Sequence, residues 1–249
     1  MKWQKLLSIV LVSLVLIICI YLICNHVSTE KFSKSTHGSR ELLKKHVDLV
    51  HNRMKNASGG QIKGKGKTKL YLIDNFLSDS ECDKLIKVSE TKLTKSTLTR
   101  YDPGDSNFRT SMTAYFSPGT PIEDKIEAKI CDIVGIPCSY AETSQIQKYQ
   151  KGQEFKLHHD YFDPNADPTF FAKGQRTWTF MVYLSDVEEG GTTNFPRINT
   201  TLHPKKGQAV AWCNLFSNGK LDGDTLHQGS PVDKGTKYII TKWFKDKKD

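Results

Sequence analysis

Between residues 145 and 244 the chain carries six short stretches with strand texture, and no other feature narrows its fold as much. They span 145–149, 155–161, 176–184, 208–212, 226–228 and 236–244, each bounded by Gly, Pro, Asp or Asn turns such as Asp163-Pro164-Asn165 and Asn218-Gly219. Two segments with helix-start signals precede them. Ser78-Asp79-Ser80-Glu81 reads as a capping box, followed by Cys82, Leu85, Ile86 and Val88 on or near one side. Thr120-Pro121-Ile122-Glu123 combines a capping Thr, a Pro at the first helical position and a reciprocal Glu. Ile122, Ile126, Ile130 and Ile133 then recur at helical spacing. A first strand at Tyr71-Leu72-Ile73 opens the domain near Leu70. Helices followed by many short strands predict an α+β fold, a jelly-roll core with the N-terminal helices packed on one face.

The N-terminal part has a different texture. After a short tail, residues 1–5, residues 6–24 form a 19-residue apolar run without a charge. At 1.5 Å per helical residue that crosses roughly 30 Å of hydrocarbon. It lacks the shorter apolar core and small-x-small site of a cleavable leader, so an uncleaved transmembrane signal anchor is expected, making a single-pass membrane protein. Flanking lysines on both sides leave its orientation open. Residues 25–69 read as a basic flexible stalk, with Glu41 to Met54 able to form a short helix striped by Leu42, Leu43, Val47 and Val50. Residues 1–69 hold 13 Lys and Arg against 3 Asp and Glu, whereas 70–249 hold 23 against 24. The net charge of +9 therefore belongs to the N-terminal third, and nucleic acid is not expected as a partner of the domain. Outside the apolar run, Cys82, Cys131, Cys138 and Cys213 form no Cys-x-x-Cys pair. One disulfide between Cys131 and Cys138 and a set of buried free thiols are both open readings.

The chemistry centres on Leu157-His158-His159-Asp160-Tyr161. In a strand, alternate side chains share a face, so His158 and Asp160 converge while His159 points away. His227, on a later short strand, would complete two imidazoles and one carboxylate around a metal, the facial arrangement of non-haem iron(II) oxygenases. Lys237 follows ten residues on, among apolar neighbours on the last long strand. A lysine there is costly to bury without an anion, and a dicarboxylate cosubstrate would supply one. His203 and His46 read as structural or solvent-facing.

These residues lie in blocks that resemble the prolyl 4-hydroxylases, iron(II)- and 2-oxoglutarate-dependent dioxygenases. The blocks are Tyr149 to Phe162, Tyr183 to Pro196, Lys206-Gly207 leading to Trp212, and Leu226 to Val232 followed by Gly235, Lys237 and Trp243. Residues 75–83 and Arg109-Thr110-Ser111 look like the family's N-terminal portion, so the resemblance covers roughly 70–244. It implies a double-stranded β-helix fold, with His158, Asp160 and His227 binding Fe(II) and Lys237 pairing with the distal carboxylate of 2-oxoglutarate. It further implies that Tyr149 and Thr193 offer hydroxyls to that carboxylate, that Trp243 lines the same pocket, and that Arg176 faces a peptide groove. Loops 100–108 and 161–175 would close over the peptide. The implied activity is peptidyl-proline 4-hydroxylation of Pro-rich or collagen-like chains with O2, yielding succinate and CO2, with ascorbate as an accessory reductant. A lumenal catalytic domain, in the endoplasmic reticulum or secretory lumen if the source is eukaryotic, would accord with the Asn-x-Ser/Thr triplets at Asn56 and Asn199. His159, Thr192 and Ser230 depart from residues common in the family, and none is a metal ligand. The same chemistry on another residue such as lysine, and a catalytically silent membrane-tethered peptide-binding subunit, are the competing readings.

Overall fold

The computed structural model describes residues 40–98, 107–163, 165 and 168–248. In chain order they form helix α1 (Arg40–Ala57), a hairpin of β1 (Ile62–Lys65) and β2 (Thr68–Ile73), helix α2 (Asp79–Glu90), strands β3 (Thr94–Lys95) and β4 (Met112–Tyr115), and helix α3 (Pro121–Val134). Strands β5 (Gln145–Tyr149) and β6 (Phe155–His158) and the short helix α4 (Pro168–Ala172) follow. The remaining strands are β7 (Arg176–Tyr183), β8 (Glu189–Gly190), β9 (Thr193–Phe195), β10 (Thr200–Leu202), β11 (Ala209–Cys213), β12 (His227–Gly229), β13 (Val232–Lys234) and β14 (Lys237–Lys245).

The strands build an eight-stranded sheet in the order β1-β2-β11-β7-β14-β5-β4-β3, a four-stranded sheet β10-β9-β12-β6, and a β13-β8 pair. Two apolar layers hold them. One lies between the helices and the large sheet and includes Val50, Met54, Leu85, Ile126, Ile130, Phe180 and Ile240. The other lies between the two sheets and includes Leu72, Tyr149, Met181, Phe195 and Trp212. This is the predicted α+β jelly roll with helices on one face.

Local signals explain the helix ends. Ser78 and Glu81 satisfy each other's backbone N–H groups in a complete capping box. At Thr120 no side-chain cap forms, and the Glu123 carboxylate accepts from Ser117 N–H and Lys92 Nζ instead of the Thr120 backbone. Gly135 ends α3 in the left-handed region at φ 78°, and a Cβ there would meet the Arg53 side chain at 2.4 Å.

The flexible stalk expected over 25–69 is corrected from Arg40 onward. Val47, Val50 and Met54 are buried under α1, Arg53 Nε donates to the carbonyl of Ile133 at the end of α3, and residues 62–65 add an edge strand. Burying each such apolar side chain contributes about 1.5–3 kcal/mol, enough to hold a segment whose composition looks solvated. The side chains of 41–46, including Leu42, Leu43 and His46, lie outside the described ones, and His203 is exposed. Cys131 and Cys138 form a disulfide, while Cys82 and Cys213 are buried thiols. Among the described residues no helix is long and apolar enough to cross a membrane; the apolar run at 6–24 lies outside them.

Candidate active site

The two histidines meet because β6 and β12 pair antiparallel with His158 and His227 directly opposite each other. Their ring centroids lie 4.3 Å apart. The predicted strand through residue 161 ends at His158, and Asp160 follows in a bend, yet its carboxylate still turns back. Oδ1 lies 3.7 Å from His158 Nε2 and Oδ2 3.9 Å from His227 Nε2. One ligand atom from each of the three residues lies within 4.8 Å of the others.

The backbone sets both imidazole tautomers. His158 Nδ1 lies 2.7 Å from the carbonyl of Lys156, and His227 Nδ1 lies 2.9 Å from that of Thr225. A carbonyl only accepts, so each Nδ1 carries the proton and each Nε2 lone pair faces the centre. Phe155 stacks on His158 at 3.6 Å and Phe195 on His227 at 5.1 Å, restricting ring rotation. Burial, and then the neighbouring His227, lower the His158 pKa to about 3, which keeps it neutral and able to ligate. Burial pushes the Asp160 carboxyl up, but His227, His158, Arg176 and the Thr179 hydroxyl outweigh it and hold it below the usual carboxylate range. Two imidazoles that turn Nε2 to the centre and one carboxylate suit a divalent first-row metal. His159 points away as predicted, bonding the carbonyl of Gly223 and stacking on Tyr161.

Lys237, at the start of β14, is 1% exposed. Its Nζ lies 3.5 Å from Thr193 Oγ1 and 5.5 and 5.8 Å from the ring centroids of Tyr149 and Tyr183. No carboxylate among the described residues pairs with it, and burial lowers its pKa to about 7. Gly229, two residues beyond His227, is the β12 residue beside Nζ: a Cβ there would sit 3.8 Å away. An ammonium in an apolar enclosure, next to the strand that carries a metal ligand, is a receptor for a carboxylate.

The other predicted residues fall into two groups. Tyr149 stands opposite Lys237 in register, but its hydroxyl donates to Gln147 Oε1 at 2.8 Å. The hydroxyl that joins Thr193 beside Lys237 belongs to Tyr183, at 2.8 Å. Trp243 lies six residues along β14 from Lys237, about 20 Å of extended strand, and it lines the open cleft rather than the lysine enclosure. The Arg176 guanidinium stacks on Trp243 at 3.9 Å and forks onto Glu142, with both N–O distances 2.6 Å. Arg176 thus reaches the cleft already paired. The cleft, about 870 Å³, exposes His158 and Asp160 among Phe108, Leu157, Tyr161 and Trp243. Of the loops expected to close it, residues 100–106, 164, 166 and 167 lie outside the described ones.

Sequence reasoning passed over Thr179, Tyr183 and Glu142. Thr179 donates to Asp160 Oδ2 at 2.7 Å. Polar residues inside β7, whose eight positions are all buried, were the available signal for the first two.

Residues 144–245 match the 2OG-Fe(II) oxygenase superfamily. The chain is 34% identical over 197 residues to probable prolyl 4-hydroxylase 3 of Arabidopsis thaliana, covering 70% of this chain and 68% of that protein. It is 33% identical over 177 residues to prolyl 4-hydroxylase subunit alpha-2 of Gallus gallus, covering 70% of this chain. It spans only about a third of that subunit's length, 33%. Among solved structures, the viral collagen prolyl hydroxylase of Paramecium Bursaria Chlorella virus-1, as its 2OG complex, is 34% identical with a TM-score of 0.57, covering 71% of this chain and 94% of that one.

Proposed function

The chain belongs to the prolyl 4-hydroxylase family of iron(II)/2-oxoglutarate oxygenases, and from that membership we propose that it hydroxylates prolyl residues of Pro-rich or collagen-like peptides. The observation that carries the reading is the buried Lys237 ammonium, which has no counter-anion among the described residues and borders the strand holding His227. Iron(II) at the three ligands would use O2 to convert 2-oxoglutarate to succinate and CO2 while one oxygen atom passes to the prolyl ring.

The protein's own part is positioning. His158 and His227 present Nε2 lone pairs, and Asp160 presents its carboxylate. Lys237 receives the distal carboxylate of 2-oxoglutarate, with Thr193 and Tyr183 supplying hydroxyls beside it. The Trp243-Arg176 wall and the exposed Leu157 and Tyr115, 43% and 48% accessible, offer a semi-apolar face to an extended peptide. We further read the apolar run 6–24 as a single-pass anchor, the catalytic domain as lumenal, and ascorbate as the reductant that keeps iron ferrous. The Cys131–Cys138 disulfide supports an oxidising compartment.

The test is succinate release by the anaerobically iron-loaded full chain, with (Pro-Pro-Gly)-type, Ala-Pro-rich and Lys-containing peptides. Peptide-stimulated succinate with one oxygen gained on proline, lost in His158→Ala, is the expected result. Oxygen on lysine would move the target residue. Iron and 2-oxoglutarate binding with no peptide response would replace the enzyme by a silent peptide-binding subunit.

A further inference from the structure

Behind Asp160 lies a buried polar chain that neither coordinates a metal nor touches the lysine enclosure. Thr179 Oγ1, on β7, lies 2.7 Å from Asp160 Oδ2, and Asn214 Nδ2 lies 3.0 Å from the same Oγ1. Thr179 and Asn214 are fully buried at 0% exposure, and Asp160 is 4% exposed.

Hydrogen-bond chemistry gives this chain one direction. An ionised carboxylate only accepts, so the single hydroxyl proton of Thr179 is committed to Asp160. What faces the hydroxyl from its other side must then donate, which places the Asn214 amide nitrogen, not its oxygen, against Thr179. The consequence is visible in the structure: Asn214 Oδ1 is buried without a hydrogen-bond partner. Turning the amide over to spare this orphan would merely place two acceptors together. The Asn214 backbone is held on both sides, its N–H on the carbonyl of Thr177 at 2.8 Å and its carbonyl by Asp222 N–H at 2.9 Å. The amide is therefore presented from a rigid point.

We propose that Asn214 and Thr179 form a one-way positioning relay that fixes the rotation of the Asp160 carboxylate and thereby sets the affinity of the site for its metal. The relay occupies part of Oδ2 and holds the carboxylate plane against turning, so that Asp160 meets a metal already oriented, together with two imidazoles whose tautomers the backbone has set. Without it the carboxylate is free to rotate, and metal affinity falls by the 10- to 100-fold typical of lost support behind a ligand. This inference rests on the assignment of His158, Asp160 and His227 as the metal site.

The test is calorimetric titration of the full chain with Co(II), read together with the visible absorption of bound Co(II). Wild type binding one Co(II), with binding abolished in His158→Ala, establishes the site; failure here overturns the site assignment itself. Thr179→Val, which keeps shape and deletes the hydroxyl, is expected to bind Co(II) 10- to 100-fold more weakly and to shift the visible bands. Thr179→Ser restores both. Asn214→Asp, which sets an acceptor against the hydroxyl, is expected to behave like Thr179→Val, and it keeps the proposal testable should that variant fail to fold. Wild-type Co(II) affinity and spectrum in folded Thr179→Val or Asn214→Asp would overturn the relay while leaving the site intact. So would weakening that Thr179→Ser does not rescue.

Discussion

Lys237→Met is expected to stabilise the ligand-free protein while abolishing its response to 2-oxoglutarate. Methionine has nearly the length of lysine and none of its charge. The Lys237 pKa is lowered from 10.5 to about 7, with burial as the cause, and the side chain is 1% exposed. At about 1.4 kcal/mol per pH unit, the shift amounts to roughly 5 kcal/mol of disfavour for the charged form in the folded state. The sign follows from proton binding. Below pH 7 both folded and unfolded chains carry the proton, and the full penalty opposes folding. Between pH 7 and 10.5 the unfolded chain binds more protons, so wild-type stability climbs with pH as the penalty is relieved. Unfolding free energies from urea titrations at several pH values measure this directly. Lys237→Met should exceed wild type by several kcal/mol below pH 7, with the two curves converging toward pH 10.5. With Mn(II) present, 2-oxoglutarate at about 100 times its Kd should stabilise wild type by ~2.7 kcal/mol and leave the variant unmoved. A variant less stable than wild type at pH 6, or a pH-independent difference between them, would refute the claim that this ammonium waits for an anion. A full 2-oxoglutarate response in the variant would refute its role as the anchor.

Two further perturbations probe the scaffold. Burial, and then the Lys69 charge, lower the His51 pKa to about 4; its Nδ1 lies 2.7 Å from Tyr71 Oη, and its ring lies edge-on to Trp178 at 4.8 Å. The unfolded imidazole titrates near 6.5, so stability contributed by neutral His51 is present above that pH and falls by about 3 kcal/mol as pH drops toward 4. His51→Phe should flatten that part of the acid limb in thermal melts at pH 4 to 7. Replacing Cys131 and Cys138 by Ser opens a loop of sequence separation 7 and should cost about 2.5 kcal/mol of stability at neutral pH, read as a lower denaturant midpoint.

The reach of sequence reasoning here follows contact range. The capping box at Ser78 depends on four consecutive residues and forms as read. The pairing of His158 with Asp160 depends on a two-residue spacing, and it survives even though the strand stops at His158. The helix read at 41–54 and its Val47 and Val50 stripe form, but the Lys and Gly content hid that this stripe, with Met54, packs the segment onto the domain rather than leaving it a flexible stalk. The family resemblance also implied a Tyr149 hydroxyl beside the lysine; in the structure Tyr149 stands opposite Lys237 in register and its hydroxyl donates to Gln147 Oε1.

By itself the sequence determined the layered α+β architecture, the metal-ligand candidates and the need of Lys237 for an anion, since these follow from residue chemistry and strand period. Tertiary structure alone decided that His227 lands opposite His158, that Trp243 lines the cleft rather than the lysine enclosure, and that Thr179 and Asn214 stand behind Asp160. Each of these is a contact between residues far apart in the chain. It is set by which strands pair and in what register, and the period of a strand carries no information about which partner it will find.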